Sequence, residues 1–334
     1  MIRSLRVPVA CAWMVLVMSV TPAAAEVEMK GRGVFFYTDD VGIFSASRRL
    51  SRDGDPTQPA IDSTITNQGS DVIFEPDLTL STSLDNRYGK TTLSAKGQGF
   101  LYTDHTRYTH GTLRLEALQA FTPATRLRTQ FYYAPDMFLG NNDNRQPGAV
   151  GLTREVLSSY IWAARIERML TPDVEIRMLT RYGLRRYNAD FEQRNTDFWT
   201  VGPHLEWRVM SNVKIGLGYH YERGLADGRN QPQLKEDVSY VNHYGSADLE
   251  VGVTDRLSVS VELDYERNNW TSGLIGDPRR GAHENVFQGD AVFYYRLDGR
   301  TRVGLGVQRS SRKESFESSA VTNTNVGVGI ESTF

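Results

Sequence analysis

Cysteine is nearly missing from this sequence: Cys11 is the single one in 334 residues. A chain with one cysteine closes no internal disulfide, which excludes the stapled mini-domains common among secreted proteins. Positive charge is not in excess either, since 38 Lys plus Arg stand against 40 Asp plus Glu. That balance lacks the basic footprint of a nucleic-acid-binding protein, so no such partner is expected. After the first 25 residues no apolar run reaches the length of roughly 18 that a membrane-crossing helix needs. A phosphate-binding glycine loop, a dinucleotide fingerprint and a cysteine pair are also missing. The residues therefore give no reason to expect a cofactor or a metal, and the only remaining way into a bilayer is a β-barrel.

The first residues form a segment of another kind. Arg3 and Arg6 precede an apolar stretch over 7–20, and Ala23, Ala24 and Ala25 stand before Glu26. Basic start, short apolar core and small-residue cleavage site describe a secretory signal peptide, too short and wrongly flanked to span a membrane. A retained N-terminal anchor is the alternative. The expected division is a leader over 1–25, carrying Cys11 away with it, and a mature chain over 26–334.

What the mature chain has in quantity is alternation. In NTNVGVGIESTF, the run ending at Phe334, Val326, Val328, Ile330, Ser332 and Phe334 share one parity. Asn323, Asn325, Gly327, Gly329 and Glu331 share the other. A period of two is a β-strand with one apolar and one polar face. RLSVSVELDYE repeats the pattern, with Leu257, Val259, Val261, Leu263 and Tyr265 against Ser258, Ser260, Glu262, Asp264 and Glu266. The same reading gives strands near 27–37, 72–84, 91–102, 112–121, 126–133, 158–167, 174–185, 199–209, 213–222, 241–252, 257–266, 285–296, 301–308 and 323–334. That is about 14 strands, with roughly 12 to 16 permitted, each near the ~10 residues a tilted membrane strand needs.

The connections alternate in length. Short turns fall at 85–89, 122–124, 171–173, 210–212, 254–255 and 297–299, and longer polar loops near 39–70, 103–110, 135–156, 188–196, 223–237, 268–283 and 309–320. Aromatics on the apolar parity lie near strand ends: Tyr133, Tyr160, Trp162, Tyr182, Trp199, Tyr219, Tyr221, Tyr265 and Phe287 toward the loops, Phe121, Trp207, Phe293, Tyr295 and Phe334 toward the turns. A soluble β-sandwich also alternates, but it has no reason to sort its loops by length or to place two aromatic girdles. The expected fold is all-β, a closed antiparallel transmembrane β-barrel.

With its leader, paired alternating strands and final Phe334, the chain resembles the Gram-negative outer-membrane β-barrel proteins of the porin-like kind. The resemblance implies residence in the bacterial outer membrane, among its lipid and lipopolysaccharide, and assignment of Phe334 as the assembly signal read by the barrel-assembly machinery. YTDDVGIF over 37–44 and SDVIFEPDLTLS over 70–81 are similar to a porin-like group linked with surface-polysaccharide loci. That similarity implies a periplasmic export partner as an alternative.

In a barrel the polar parity faces inward, because Arg or Lys on the lipid face at mid-membrane costs roughly 2–4 kcal/mol. The inward basic residues are then Arg114, Arg126, Arg128, Arg165, Arg177, Arg181, Arg185 and Arg208, with Glu116, Glu167, Glu175 and Glu206 among them. The inward acidic residues are Asp248, Glu250, Glu262, Asp264, Glu266 and Asp290. Two opposed walls would set a transverse field across a water-filled pore passing small hydrophilic solutes. The alternative is that these groups cross-link and fill a plugged barrel. Gly216, Gly218, Gly304, Gly306, Gly327 and Gly329 also face inward, either easing strand curvature or leaving room for a loop or solute path.

For chemistry, Asp39, Asp40, Asp104 and His105 fall at the loop-side rim. Neighbours on a strand point to opposite faces, so a hydrolytic site would need them held on loops. His204 and His220 face inward on adjacent strands without a motif serine. Asn141–Arg145 is oxygen-rich but lacks calcium-loop spacing and reads as a polar turn. The expectation is a channel and not an enzyme.

Overall fold

The computed structural model describes residues 27–42 and 68–334, apart from 145, 147, 149 and 235. The expected leader and most of the expected first loop lie outside the described residues. The strands are β1 (Val27–Thr38), β2 (Asp71–Asn86), β3 (Gly89–Tyr102), β4 (His110–Thr122), β5 (Thr125–Asp143), β6 (Leu152–Thr171) and β7 (Val174–Tyr187). They continue as β8 (Thr196–Met210), β9 (Val213–Ala226), β10 (Tyr240–Gly252), β11 (Leu257–Trp270), β12 (His283–Arg296), β13 (Thr301–Glu314) and β14 (Val321–Thr333). Each pairs antiparallel with its sequence neighbours, and β1 pairs with β14, so the sheet closes on itself and leaves no edge.

The closure runs to the last residue. The Phe334 amide donates to the Met29 carbonyl at 2.7 Å, continuing the β1–β14 ladder. Inside the same seam, Lys30 lies 3.2 Å and Arg302 2.8 Å from Glu331. The short turns lie at one end and the longer connections at the other. Gly89 opens β3 at φ +121°, a left-handed conformation, and a β-carbon there would collide with the Ala120 carbonyl, so only glycine fits the turn.

The alternating parity sorts as a membrane barrel requires. Leu80, Met178, Leu217, Leu263, Leu305, Val328 and Ile330 point outward and are exposed. Arg32, Glu75, Arg128, Glu167, Arg177 and Glu222, on the other parity, are tied into ion pairs inside. The exterior aromatics form rings at both ends. Tyr133 stacks on Tyr160 at 4.9 Å, Trp199 meets Tyr221 at 5.3 Å and Tyr265 meets Phe287 at 4.8 Å on the loop side. Phe121, Trp207, Phe293, Tyr295 and Phe334 lie exposed on the turn side.

Strand lengths depart from expectation at the loop end. β5 and β6 run 19 and 20 residues, so the expected 135–156 loop is mostly a tall hairpin. Asn141–Asp143 belongs to β5, not to a turn, and Asn142 is buried with its amide on Glu155. β13 likewise continues to Glu314, taking in the first part of the expected 309–320 loop.

Candidate functional site

The lumen divides along its axis. Toward the turns it carries a belt of alternating charge. Arg128 joins Glu116 to Glu167, and Arg126 joins Glu167 at 2.8 Å to Glu175 at 2.6 Å. Arg177 joins Glu175 at 2.5 Å to Glu206, and Lys214 joins Glu206 at 3.6 Å to Glu250 at 3.3 Å. The belt thus crosses from β4 to β10, and Arg165 also reaches Glu167 at 3.0 Å. Most of these side chains remain partly exposed, Arg126 at 34% and Glu206 at 30%. The expected basic wall is therefore interleaved with its own carboxylates.

Of the acids on β10 to β12, Glu250 belongs to that belt, and three others line up across the strands. Asp248 faces Glu262, and Glu262 faces Asp290, in one row across three strands. The register neighbours at the row's ends are Gly216 and Gln308, both neutral. Asp264, one inward step toward the loops, accepts the Tyr244 hydroxyl at 2.6 Å. The register thus gathers Asp248, Glu262 and Asp290 into a short acidic strip.

Toward the loops the lumen is packed. Phe36, Ile73, Phe100, Tyr102, Tyr108 and Phe138 form one buried apolar cluster. Tyr132, Met137, Leu139, Leu157, Ile161 and Phe198 form a second, and Val238, Tyr240 and Trp270 a third. Among the described residues, the connections after β7 and β9 fold inward over them. Arg194, in the short helical turn Ala189–Arg194, is fully buried and donates to Glu155 at 3.0 Å and to Glu236 at 2.7 Å. Arg185 lies over the Phe198 ring at 4.6 Å and donates to the Tyr240 hydroxyl at 2.9 Å, which donates to Glu222 at 2.6 Å. Arg312 pairs with Glu284, and the Trp270 indole donates to Glu314 at 2.8 Å. Buried charges persist only when paired and hydrogen-bonded, and these are.

The sequence-selected residues distribute as follows. Arg114, Arg126, Arg128, Arg165, Arg177, Asp248, Glu250, Glu262, Asp264 and Asp290 face the lumen below the packed region, and Arg208 lies exposed near the turn-side end. Arg181, Arg185 and Glu266 face inward but are buried within the packing. Phe334 is exposed on the outer surface. The inward glycines lie beneath neighbouring side chains: a β-carbon on Gly216 would collide with Asp248, one on Gly218 with His204 and one on Gly327 with Phe36. Gly304, Gly306, Gly327 and Gly329 also line a cavity of about 240 Å³ inside the barrel, with Arg32, Tyr294 and Arg302. Sequence reasoning missed Glu155, Arg194, Glu236, Glu284 and Arg312.

The rim candidates for hydrolysis serve local structure. Asp39 accepts from the Asn323 amide at 2.7 Å and the Thr324 backbone at 2.8 Å, and buried Asp40 accepts from the Gly42 backbone at 3.0 Å. Asp104 and His105 donate backbone N–H to Asp71 at 3.1 and 2.9 Å. His204 and His220 share a hydrogen bond at 2.6 Å, with His220 stacked on Tyr244. The His105 ring also lies 3.2 Å from Asp71, which accepts the Thr103 hydroxyl at 2.6 Å.

An apolar surface turned outward around a charged and packed interior, in a closed cylinder with an aromatic ring at each end, decides where the chain resides. This is a transmembrane β-barrel. No family model matches the barrel's sequence, and no curated protein does. Among solved structures it is similar to a bacterial polysaccharide outer membrane secretin, at TM-score 0.50 and 8% identity, over 92% of this chain and 98% of that one. It is also similar to an anion-selective porin from Comamonas acidovorans, at TM-score 0.48 and 11% identity, over 93% of this chain and 100% of that one. The outer membrane channel DcaP of Acinetobacter baumannii gives 0.47 and 9%, over 93% of this chain and 97% of that one. At such identities the likeness is one of fold.

Proposed function

We propose that the barrel, as a single domain over 26–334 freed of its leader, is a non-enzymatic channel for small hydrophilic solutes. The observation that supports this reading is the charge belt from Glu116 to Glu250, partly exposed to an interior that the fold seals from lipid. A barrel needing only mechanical stability could fill this region with apolar side chains, as it does higher up. The acidic strip of Asp248, Glu262 and Asp290 gives the wetted half a cation preference. The packed loop-side half restricts what passes.

A second reading is favoured by that packing: a barrel held shut until a periplasmic partner engages it, serving surface-polysaccharide export. The fold shared with a polysaccharide outer membrane secretin is consistent with it. Reconstitution of pure protein in planar bilayers separates the two. The channel reading expects stepwise conductance from pure protein. It further expects that Asp248→Asn, Glu262→Gln and Asp290→Asn together move the reversal potential in a salt gradient toward anions. Silence in pure form, with conductance restored only by periplasmic extract, would establish the second reading in its place.

A further inference from the structure

We propose that the turn-side mouth of the lumen holds a binding site for a small phosphorylated, hydroxyl-bearing solute. A cavity of about 380 Å³ lies there, against the ends of β8 to β13. Arg208, Lys214, Arg256, Arg296 and Arg302 line it, against two carboxylates, Glu250 and Asp255. The register sets these cations against one another. Arg296 faces Arg302 across β12 and β13, and the Arg296 amide donates to the Arg256 carbonyl at 2.9 Å, so three arginines stand in one row. Arg208 faces Lys214 across β8 and β9. Like charges directly opposite one another on a sheet repel. Arg302 is compensated by Glu331 at 2.8 Å, and Lys214 by Glu250 at 3.3 Å and Glu206 at 3.6 Å. Arg208, Arg256 and Arg296 are exposed, and among the described residues none of them forms an ion pair. Asp255 shares the turn with Arg256 without pairing with it.

The charge belt shows how a wall built for stability alone is arranged. There Arg128, Arg126, Arg177 and Lys214 each stand between two carboxylates. The row of Arg256, Arg296 and Arg302 breaks that alternation, and an anion from solution would compensate it. A phosphate monoester suits the row better than a carboxylate, because it carries close to two charges and three terminal oxygens, one for each arginine fork. The cavity has the size of a small-molecule pocket, larger than a bare phosphate fills. Ser211, Asn212, Thr254 and Ser258 complete its wall, and these neutral polar groups suit hydroxyls on the body that carries the phosphate. Such a solute is held at the mouth. The acidic strip stands six residues nearer the loops on the same strands, Glu262 above Arg256 and Asp290 above Arg296, and repels it from the lumen beyond. The site thus goes beyond the channel reading, since binding here does not require conduction.

The test titrates the full barrel in detergent, at fixed ionic strength, with glucose 6-phosphate, inorganic phosphate, citrate and glucose, read by calorimetry. Glucose 6-phosphate should bind more tightly than the other three, by about tenfold, the worth of one charge-assisted hydrogen bond. Arg256→Gln with Arg296→Gln should weaken its binding by about tenfold or more. Arg87→Gln, in the turn between β2 and β3 at the same end of the barrel but outside the cavity, should leave binding unchanged. Urea unfolding gives a second readout. Without ligand the double variant should unfold no earlier than the wild type, because its repulsion is relieved. Glucose 6-phosphate should raise the midpoint of the wild type and not that of the double variant. Equal affinity for inorganic phosphate or glucose would overturn the proposal, as would tighter binding of citrate. So would a loss of binding in Arg87→Gln as large as in the double variant, because the effect would then be one of net charge and not of a site.

Discussion

Arg194 carries its charge at a place without accessible surface, between Glu155 on β6 and Glu236 in the connection after β9. Removing one partner of such a pair leaves the others buried and uncompensated, at a cost of about 3–5 kcal/mol. Arg194→Met should therefore lower stability by about that amount in urea unfolding in detergent. Glu155→Gln and Glu236→Gln added to it should recover a large part, because neutral amides are less costly to bury than stranded carboxylates. Additive losses across the three substitutions would mean that the groups do not act together. Gly327 is a second residue-scale case. Its missing side chain is the space that Phe36 occupies, so Gly327→Val overpacks the seam between β1 and β14 and should cost about 1–3 kcal/mol. Phe36→Ala in the same background should relieve part of the penalty, which unfolding midpoints of the four proteins would resolve.

At the scale of elements, legibility follows the bilayer. Where a strand has an apolar outer and a polar inner face, the two parities differ in chemistry, and the strands after β1 could be found by counting in twos, while β1, with Gly31 and Gly33, alternates less cleanly. Above the membrane the contrast fades. On β6, Leu157 and Ile161 face inward while Ser158 faces outward, the reverse of what a wet lumen demands. On β5 the phase itself slips: the register shifts between Ala134 and Met137, around Asp136 at φ +45°. A count by twos that begins at Arg126 is out of step beyond Pro135, which is why the upper hairpin reads as loop. Arg194 and Glu236 lie on connections, where no period exists, so their convergence was not visible. Asp136 also offers a test. A β-branched side chain in a left-handed conformation costs about 1–2 kcal/mol, so Asp136→Val should destabilise the hairpin while Asp136→Gly should not. Limited proteolysis across 144–151 would report the loosening first. Phe334 sits at the last rung of the ladder to β1, and its ring adds nothing to lumen packing. If it is the assembly signal, its deletion should reduce folded barrel in the outer membrane several-fold while leaving refolding in detergent nearly unchanged.

At the scale of the whole molecule, two demands compete inside one cylinder. A closed sheet of 14 strands is wider than the 8-stranded kind that side chains alone fill, so its lumen must be either wet or occupied by connections. In this chain the loop-side half is packed, and the turn-side half carries partly exposed ion pairs. The turn-side half carries ion pairs that are partly exposed, a kind individually worth about 0–1 kcal/mol. The packed half carries ion pairs that are costly to break and hold the inward-folded connections to the wall. The two halves should therefore separate under mutation. Arg194→Ala with Glu236→Ala should free the connections after β7 and β9 from β6 and raise single-channel conductance severalfold, with strand content by circular dichroism unchanged. If Asp248, Glu262 and Asp290 set an ion preference, it should persist in that variant, since those residues lie below the disrupted region. If conductance rises but the preference vanishes, the acidic strip is not the selective element and the packed half sets both size and charge. If conductance does not rise at all, the resistance lies lower, at the charge belt itself, and loosening Arg177 from Glu175 and Glu206 should then be what opens the path.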